Sequence, residues 1–208
     1  MNDDFGYLIT GPASPKPRIV LAHGAGAPMD TPFMDSIANG LADAGYQVVR
    51  FEFPYMRKRR TTGKRSGSGS AKALVPYYLQ IIEDLGDPDK LIIGGKSMGG
   101  RVASMAADRA GVAGLVCLGY PFHPGGKPES LRTDHLEDLE TKTLIIQGAR
   151  DSLGSREEIE SYRLSKSIST LFLEDGDHSF KPRKSSGYTF DGHMDTAVKE
   201  IIRFAGDF

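Results

Sequence analysis

The feature that most constrains this chain is a series of short apolar runs that are continuous, where a sheet with one wet face would alternate. Arg18 to Ala22, Gln47 to Phe53, Lys90 to Gly94, Gly114 to Gly119, Thr143 to Gln147 and Thr170 to Leu173 are each rich in Val, Ile, Leu or Phe. Such runs read as strands buried on both faces, the condition of a parallel sheet between helices. The intervening segments supply the helices. Phe33, Ile37, Leu41 and Ala44 recur at helical spacing, with Pro32 in the first turn and Gly45 at the stop. Val75, Tyr78, Leu79, Ile82 and Leu85 do the same ahead of Gly86, and Met98, Val102, Met105 and Ala106 ahead of Gly111. Ser155 with Glu158 is a capping box opening a fourth helix, and Met194, Ala197, Val198, Ile201 and Phe204 stripe a fifth. Strand and helix in alternation, joined by right-handed crossovers, predict an α/β fold: an open, mostly parallel sheet with helices on both faces.

A chain of 208 residues suffices for one well-packed core, so a single domain over residues 1–208 is expected. An apolar fraction of 39% and a charged fraction of 25% are those of a soluble globular protein, which excludes global disorder. The N-terminal MNDDFGYLIT is acidic where a secretory leader would be basic, and no apolar run nears the roughly 18 residues of a membrane span. A cytoplasmic protein without membrane contact is expected. The one cysteine, Cys117, lies in the apolar run GLVCLGY; it excludes an intrachain disulfide and reads as a buried structural thiol. No residues have metal-ligand spacing, so neither a metal nor a cofactor is expected.

The stretch LIIGGKSMGGR at Leu91 to Arg101 carries the chemistry. Its GKS invites comparison with a phosphate loop, but that motif needs a glycine at position 90, which is Lys, and an anion-cradling loop where Leu91, Ile92, Ile93 and Gly94 instead finish a strand. The same residues satisfy GxSxG, a nucleophile elbow, in which glycines flank a serine on a strained strand-to-helix turn; Gly95, Ser97 and Gly99 fit it. Folds built around such an elbow bring the acid and the base later in the chain, each on a loop at the C-terminal edge of a strand. Asp151, in GARDS, follows the strand Thr143 to Gln147, and His178, in EDGDHSF, follows Thr170 to Leu173. Upstream, the first long strand ends in AHGAGAP, a Gly-rich turn whose backbone N–H groups can face an oxyanion.

Taken together, HGAG at His23 to Gly26, RFEFPYM at Arg50 to Met56, GGKSMGGR at Gly94 to Arg101, GYPFHPGGKPE at Gly119 to Glu129, QGARD at Gln147 to Asp151 and DHSF at Asp177 to Phe180 extend through nearly the whole chain. In these segments the chain resembles the α/β-hydrolase superfamily. More narrowly it resembles the small cap-less subfamily that includes the testis-expressed protein 30 and the third subunit of the non-specific-lethal chromatin complex. One departure is Gly125 after Pro124, where relatives tend to carry Pro. The resemblance implies the fold, a Ser/Asp/His triad and hydrolase chemistry, and brings no substrate with it.

The expected roles follow. Ser97 is the nucleophile, His178 the general base and acid, and Asp151 the carboxylate that orients it, with Asp175 and Asp177 as turn formers. The backbone N–H groups of Met98 and Ala25 are the oxyanion donors, Gly24 or Gly26 being alternatives to Ala25. His23 is expected to brace its loop, His135 and His193 to be surface or structural, and His123 to be a candidate liner of the substrate pocket. The net charge of −1 conceals a basic tract: Arg57, Lys58, Arg59, Arg60, Lys64, Arg65 and Lys72 fall within residues 57–72 without an acidic residue, which leaves −8 for the rest. With SGSGS at Ser66 to Ser70 inside it, the tract reads as a flexible loop off the same sheet edge. Three readings stay open for it: a solvated loop; a field that, with Arg57 and Lys181 at the pocket, attracts an anionic substrate; and a nucleic-acid surface, against which the absence of interleaved aromatics counts. The expected reaction is hydrolysis of a small carboxylic ester or thioester through an acyl-enzyme, by a monomer or homodimer. Against it stands a catalytically silent interaction protein that keeps the fold as a platform, and, on the same triad, peptide cleavage or acyl transfer.

Overall fold

The structure is a computed structural model that describes residues 5–14, 16–64 and 67–208. Met1 to Asp4, Pro15, Arg65 and Ser66 lie outside the described residues, and with them part of the acidic N-terminal stretch and two positions of the basic tract. Among the described residues one sheet contains β1 (Leu8–Thr10), β2 (Arg18–Ala22), β3 (Val48–Phe51), β4 (Leu91–Lys96), β5 (Gly114–Leu118), β6 (Thr143–Gly148) and β7 (Ile168–Leu173). Their order is β1-β3-β2-β4-β5-β6-β7; all neighbours are parallel except β1, which pairs antiparallel with β3, Leu8 opposite Arg50. The six continuous apolar runs are therefore β2 to β7, and the parallel sheet they predict is present. β1 had no signal in the sequence, because three residues, LIT, are too few to show a period.

The helices are α1 (Pro32–Asp43), α2 (Pro54–Thr62), α3 (Ala71–Leu85), α4 (Met98–Ala110), α5 (Arg156–Ser161) and α6 (Phe190–Ala205). Alternate strand residues divide between two cores, as the pleat requires. Val20, Phe51, Ile93 and Cys117 pack on one face with Tyr78 and Ile81 of α3 and Val102 and Ala106 of α4. Ile19, Leu21, Ile92 and Val116 pack on the other with Ile37 and Leu41 of α1 and Ala197 and Ile201 of α6. Each fully buried Leu, Ile or Val contributes about 1.5–3 kcal/mol relative to exposure. Cys117 is fully buried, and burial pushes its thiol up, so it stays protonated and inert.

The basic tract departs from expectation. Arg57 to Thr62 complete α2, Lys72 is the second residue of α3, and residues 63–70 connect the two. Pro54 opens α2 at a position where its missing N–H costs nothing, and Met, Arg and Lys are good helix formers. Gly63, left-handed at φ 66°, closes it by donating its N–H to Arg59 O at 2.9 Å. The charge does not repel the helix from the body, because Arg60 is paired with Asp30 at 2.5 Å and with Glu52 at 2.7 Å.

Two further points bear on the site. The segment between β5 and β6, residues 119–142, holds only a 3₁₀ turn at Asp134–Leu136, so this segment adds no helical layer over the sheet. Among the described residues no helix is long and apolar enough to cross a membrane.

Beside the end of β4, the buried Tyr78 hydroxyl of α3 lies 3.0 Å from Val20 O and 2.8 Å from Gly94 O, and accepts the Gly94 N–H at 3.1 Å. Tyr78→Phe strands these groups away from water. A loss of about 1–3 kcal/mol in unfolding free energy is expected from urea denaturation, without change of fold by circular dichroism.

Candidate active site

Ser97 stands between the last residue of β4 and the first of α4, at φ 52° and ψ −115°. A residue with a Cβ adopts such a left-handed conformation only under constraint. The constraint is a close approach of backbones. A Cβ on Gly95 would lie 2.4 Å from Ala22 O, and one on Gly99 would lie 2.5 Å from Ala22 O and 2.7 Å from His23 O. The two glycines that define the motif thus let the elbow pack against the end of β2. Ser97 is held there by its N–H, which donates to Leu118 O at 2.9 Å, and by its carbonyl, which accepts the Arg101 N–H at 3.0 Å.

The loops after β6 and β7 bring Asp151 and His178 to the same point. Asp151 is fully buried; its Oδ2 accepts a hydrogen bond from His178 Nδ1 at 2.7 Å, and Ser97 Oγ donates to His178 Nε2 at 2.9 Å. A carboxylate can only accept here, so the proton sits on Nδ1 and Nε2 is free to take the one on Ser97. Asp151 is itself held by the Leu153 N–H on Oδ1 at 2.8 Å and by Gln147 Nε2 on Oδ2 at 2.9 Å. Gln147 is buried, accepts the Tyr120 N–H at 2.8 Å, and so joins the loop after β5 to the acid. The two loops meet because Gly148 has no side chain: a Cβ there would lie 2.2 Å from Asp177 O. Asp177 accepts the Ser179 and Lys181 N–H groups at 2.8 and 3.0 Å, and Asp175 accepts that of Arg183 at 2.6 Å, which makes both turn formers.

Lys96 is the residue whose role the sequence did not disclose. Its Nζ donates to His178 O at 2.6 Å and lies near the rings of Phe33 and Phe180. Burial pushes this ammonium down to about 8, against the opposing pull of Asp151 and Asp177. The side chain therefore clamps the loop that carries the imidazole.

The turn after β2 is braced from the other side. His23 Nδ1 donates to Gly24 O at 2.6 Å, its Nε2 accepts the Phe53 N–H at 3.1 Å, and the Tyr55 hydroxyl donates to Ala25 O at 3.1 Å. Arg59 of the basic helix donates to Gly26 O at 3.3 Å. Because a trans peptide sets N–H and C=O on opposite sides, tying Gly24 O to His23 turns the Ala25 N–H the other way. Ala25 and Ser97 line the same two hollows, and Met98 follows Ser97 directly. Burial holds the His23 imidazole below its ordinary value, so it stays neutral in this bonded form.

The remaining candidates separate. Lys181 lines a hollow of about 580 Å³ on one side of Ser97, walled by Pro28, Pro32, Phe33 and Phe190. His123 does not line it: it is 3% exposed, bonds Pro124 O through Nδ1 at 2.9 Å and turns Nε2 toward Glu158, 3.3 Å away on α5. The loop after β5 folds that ring inward, away from the site. Arg57 is on α2, with its guanidinium toward Gly6 and not at the hollow. His193 is buried and binds Phe180 O at 2.7 Å, and His135 pairs with Ser104 Oγ at 2.8 Å; both are structural, as expected.

This geometry can deliver a serine alkoxide to an electrophile with its proton parked on an imidazole. Comparison with known proteins agrees with the architecture. A family model described as an alpha/beta hydrolase domain matches residues 15–206. Among solved structures, an alpha-beta serine hydrolase homologue from Coxiella burnetii is 19% identical, with a TM-score of 0.68 over 95% of this chain and 90% of that one. Est1E from Butyrivibrio proteoclasticus is 13% identical at 0.70, over 97% and 93%. A serine hydrolase without lid from Xanthomonas campestris is 19% identical at 0.58, over 94% and 88%.

Two predictions follow from the bracing. Lys96→Met removes the clamp on His178, and the rate at which Ser97 reacts with a fluorophosphonate is expected to fall about 10- to 100-fold, since small misplacements cost on that order. For His23, whose folded value is depressed, the folded state binds fewer protons than the unfolded one below about 6.5, so its contribution to stability is complete above that pH and lost as the pH falls. The decline in thermal stability between roughly pH 7 and pH 5 is expected to be shallower in His23→Gln than in wild type.

Proposed function

The chain belongs to the alpha/beta hydrolase family, and we propose that within it the protein is a serine hydrolase that cleaves a small carboxylic ester or thioester through an acyl-enzyme. The observation that carries this reading is the unbroken hydrogen-bond chain Asp151, His178, Ser97, ending in a serine held left-handed at a strand end. In the first half-reaction Ser97 Oγ bonds to the substrate carbonyl carbon while its proton passes to His178 Nε2. The oxyanion is received by the backbone N–H groups of Ala25 and Met98. The bond to the leaving alcohol or thiol breaks as His178 Nε2 returns the proton to it. Water then attacks the acyl carbon, losing its proton to His178, which gives it back to Ser97 as the acid departs.

The apolar hollow beside Ser97, about 580 Å³, is of the size that receives a small ligand portion, and the open sheet edge favours small substrates over long chains. We also place the chain in the small cap-less subfamily typified by testis-expressed protein 30; the uncapped segment 119–142 and the segments quoted above support this.

Labelling by a fluorophosphonate probe tests the reading. Wild type is expected to label, Ser97→Ala and His178→Ala not to, and ester turnover to fall by on the order of 10⁴- to 10⁶-fold in either. Asp151→Asn is expected to retain more activity than either. A folded wild-type protein that does not label overturns the reading and favours the silent platform.

A further inference from the structure

On the other side of Ser97 lies a second hollow, of about 490 Å³, with a different character. Lys72, Arg101 and Arg132 line it, together with the Ser68 to Ser70 segment, and no acidic residue does. Arg101 lies four residues beyond Ser97, one turn along the same face of α4, so its side chain stands next to the elbow. Arg132 is fixed by its main chain: its N–H donates to Phe122 O at 2.8 Å and its carbonyl accepts the Tyr120 hydroxyl at 3.1 Å. Lys72 is in the first turn of α3, capped by Ser70, whose side chain accepts the Ala73 N–H at 3.2 Å.

These cations differ from several on this face that are paired. Arg60 is neutralised by Asp30 and Glu52, and Arg150 and Arg183 by Asp175. Among the described residues, Lys72, Arg101 and Arg132 make no ion pair. Arg101 Nε is buried without a hydrogen-bond partner. Burial, and then the neighbouring Arg101 charge, pushes the Arg132 guanidinium down. Asp134 lines an adjoining hollow with the same three cations but pairs with none of them. Half-buried like charges with no carboxylate at ion-pair distance among the described residues raise the energy of the empty site, and an anion that enters relieves it. A planar guanidinium pair suits carboxylate or phosphate oxygens, which it can hold bidentately.

We propose that this hollow is an anion subsite, and that the substrate is an ester or thioester bearing a carboxylate or phosphate group on one side of its scissile carbonyl and an apolar portion on the other. The inference rests on the serine hydrolase reading for its substrate and on Lys72, Arg101 and Arg132 for its charge. The molecule straddles Ser97, its apolar part against Phe33 and Phe190 and its anionic part against the two guanidiniums. The positive charge at this hollow thus comes from residues 72, 101 and 132, while Arg59 and Arg60 of α2 serve the turn after β2.

Three aryl esters of matched acyl length, ending in a carboxylate, a phosphate or a neutral methyl ester, test this in the full-length protein. The readout is the ratio of kcat/KM for each charged ester to that for the neutral one. In wild type the ratio is expected to be on the order of 10 to 100, since a hydrogen bond to a charged group is worth about that factor, and which charged arm is larger identifies the anion. Arg101→Met with Arg132→Met is expected to bring the ratio near one, while Arg101→Lys, which keeps the charge, retains most of it. A wild-type ratio of one or less while the neutral ester turns over, or a ratio unchanged in the double variant, overturns the proposal. A second measurement needs no turnover: calorimetric titration of Ser97→Ala with glutarate and with inorganic phosphate. Binding that weakens at least about tenfold in the double variant on that background upholds the anion subsite even if Ser97 fails to label; no binding of either anion overturns it.

Discussion

The edge of the sheet that carries Ser97 depends on how near β4 can come to β2. Ala22 O occupies the space that a side chain at position 95 or 99 would need, and Gly94 is still tighter, with a Cβ there only 1.9 Å from Val116 O on β5. Three absent side chains therefore let a strand end turn into a helix within one residue, against neighbours on both sides. The same device recurs where the loops converge. Gly148 admits Asp177 O, and Gly119 admits His178 O, 3.0 Å from where its Cβ would be. The polar chain from the buried Asp151 to Ser97 can be short because backbones pack closely around the loops that carry it.

Around that frame the charged residues divide by what they touch. Arg59 and Arg60 of α2 and Tyr55 beside them hold Ala25 O, Gly26 O and Asp30 in the turn after β2 and Glu52 after β3, so these two charges of the basic tract are structural. Lys96 is enclosed by two aromatic rings and one carbonyl, which lets a cation stand beside the imidazole while its hydrogen bond is spent on the chain behind it. Among the described residues, Arg101 and Arg132 have no such partners, and they face a hollow. A charge satisfied by its own fold positions something; a charge that the fold leaves unsatisfied awaits something.

How much of this was legible followed the range of the interaction. Strands β2 to β7 were legible because burial on both faces writes itself into contiguous residues. Ser97, Asp151 and His178 could be named because each follows a strand end in chain order, and the structure brings the three side chains together. His123 shares that placement but its loop turns inward, a matter of the path of residues 120–124 that spacing does not express. The helical turns from Arg57 to Thr62 are masked in the sequence by their charge density, which reads as a solvated loop, although Pro54 and Gly63 bracket them. Gln147 did carry a signal, a polar side chain closing an apolar run, which implies a buried partner. Lys96 and the meeting of Arg101 with Arg132 depend on residues distant in the chain, and no local pattern announces them.

The antiparallel strand β1 has one more consequence. A parallel sheet that ended at β3 would offer a row of unpaired main-chain groups to any other chain, and β3 is buried along its whole length. Three residues of β1 close that edge and expose in turn only a very short one, too brief to template a second molecule. The shortest strand of the sheet thus shields the buried β3 from pairing with a second molecule.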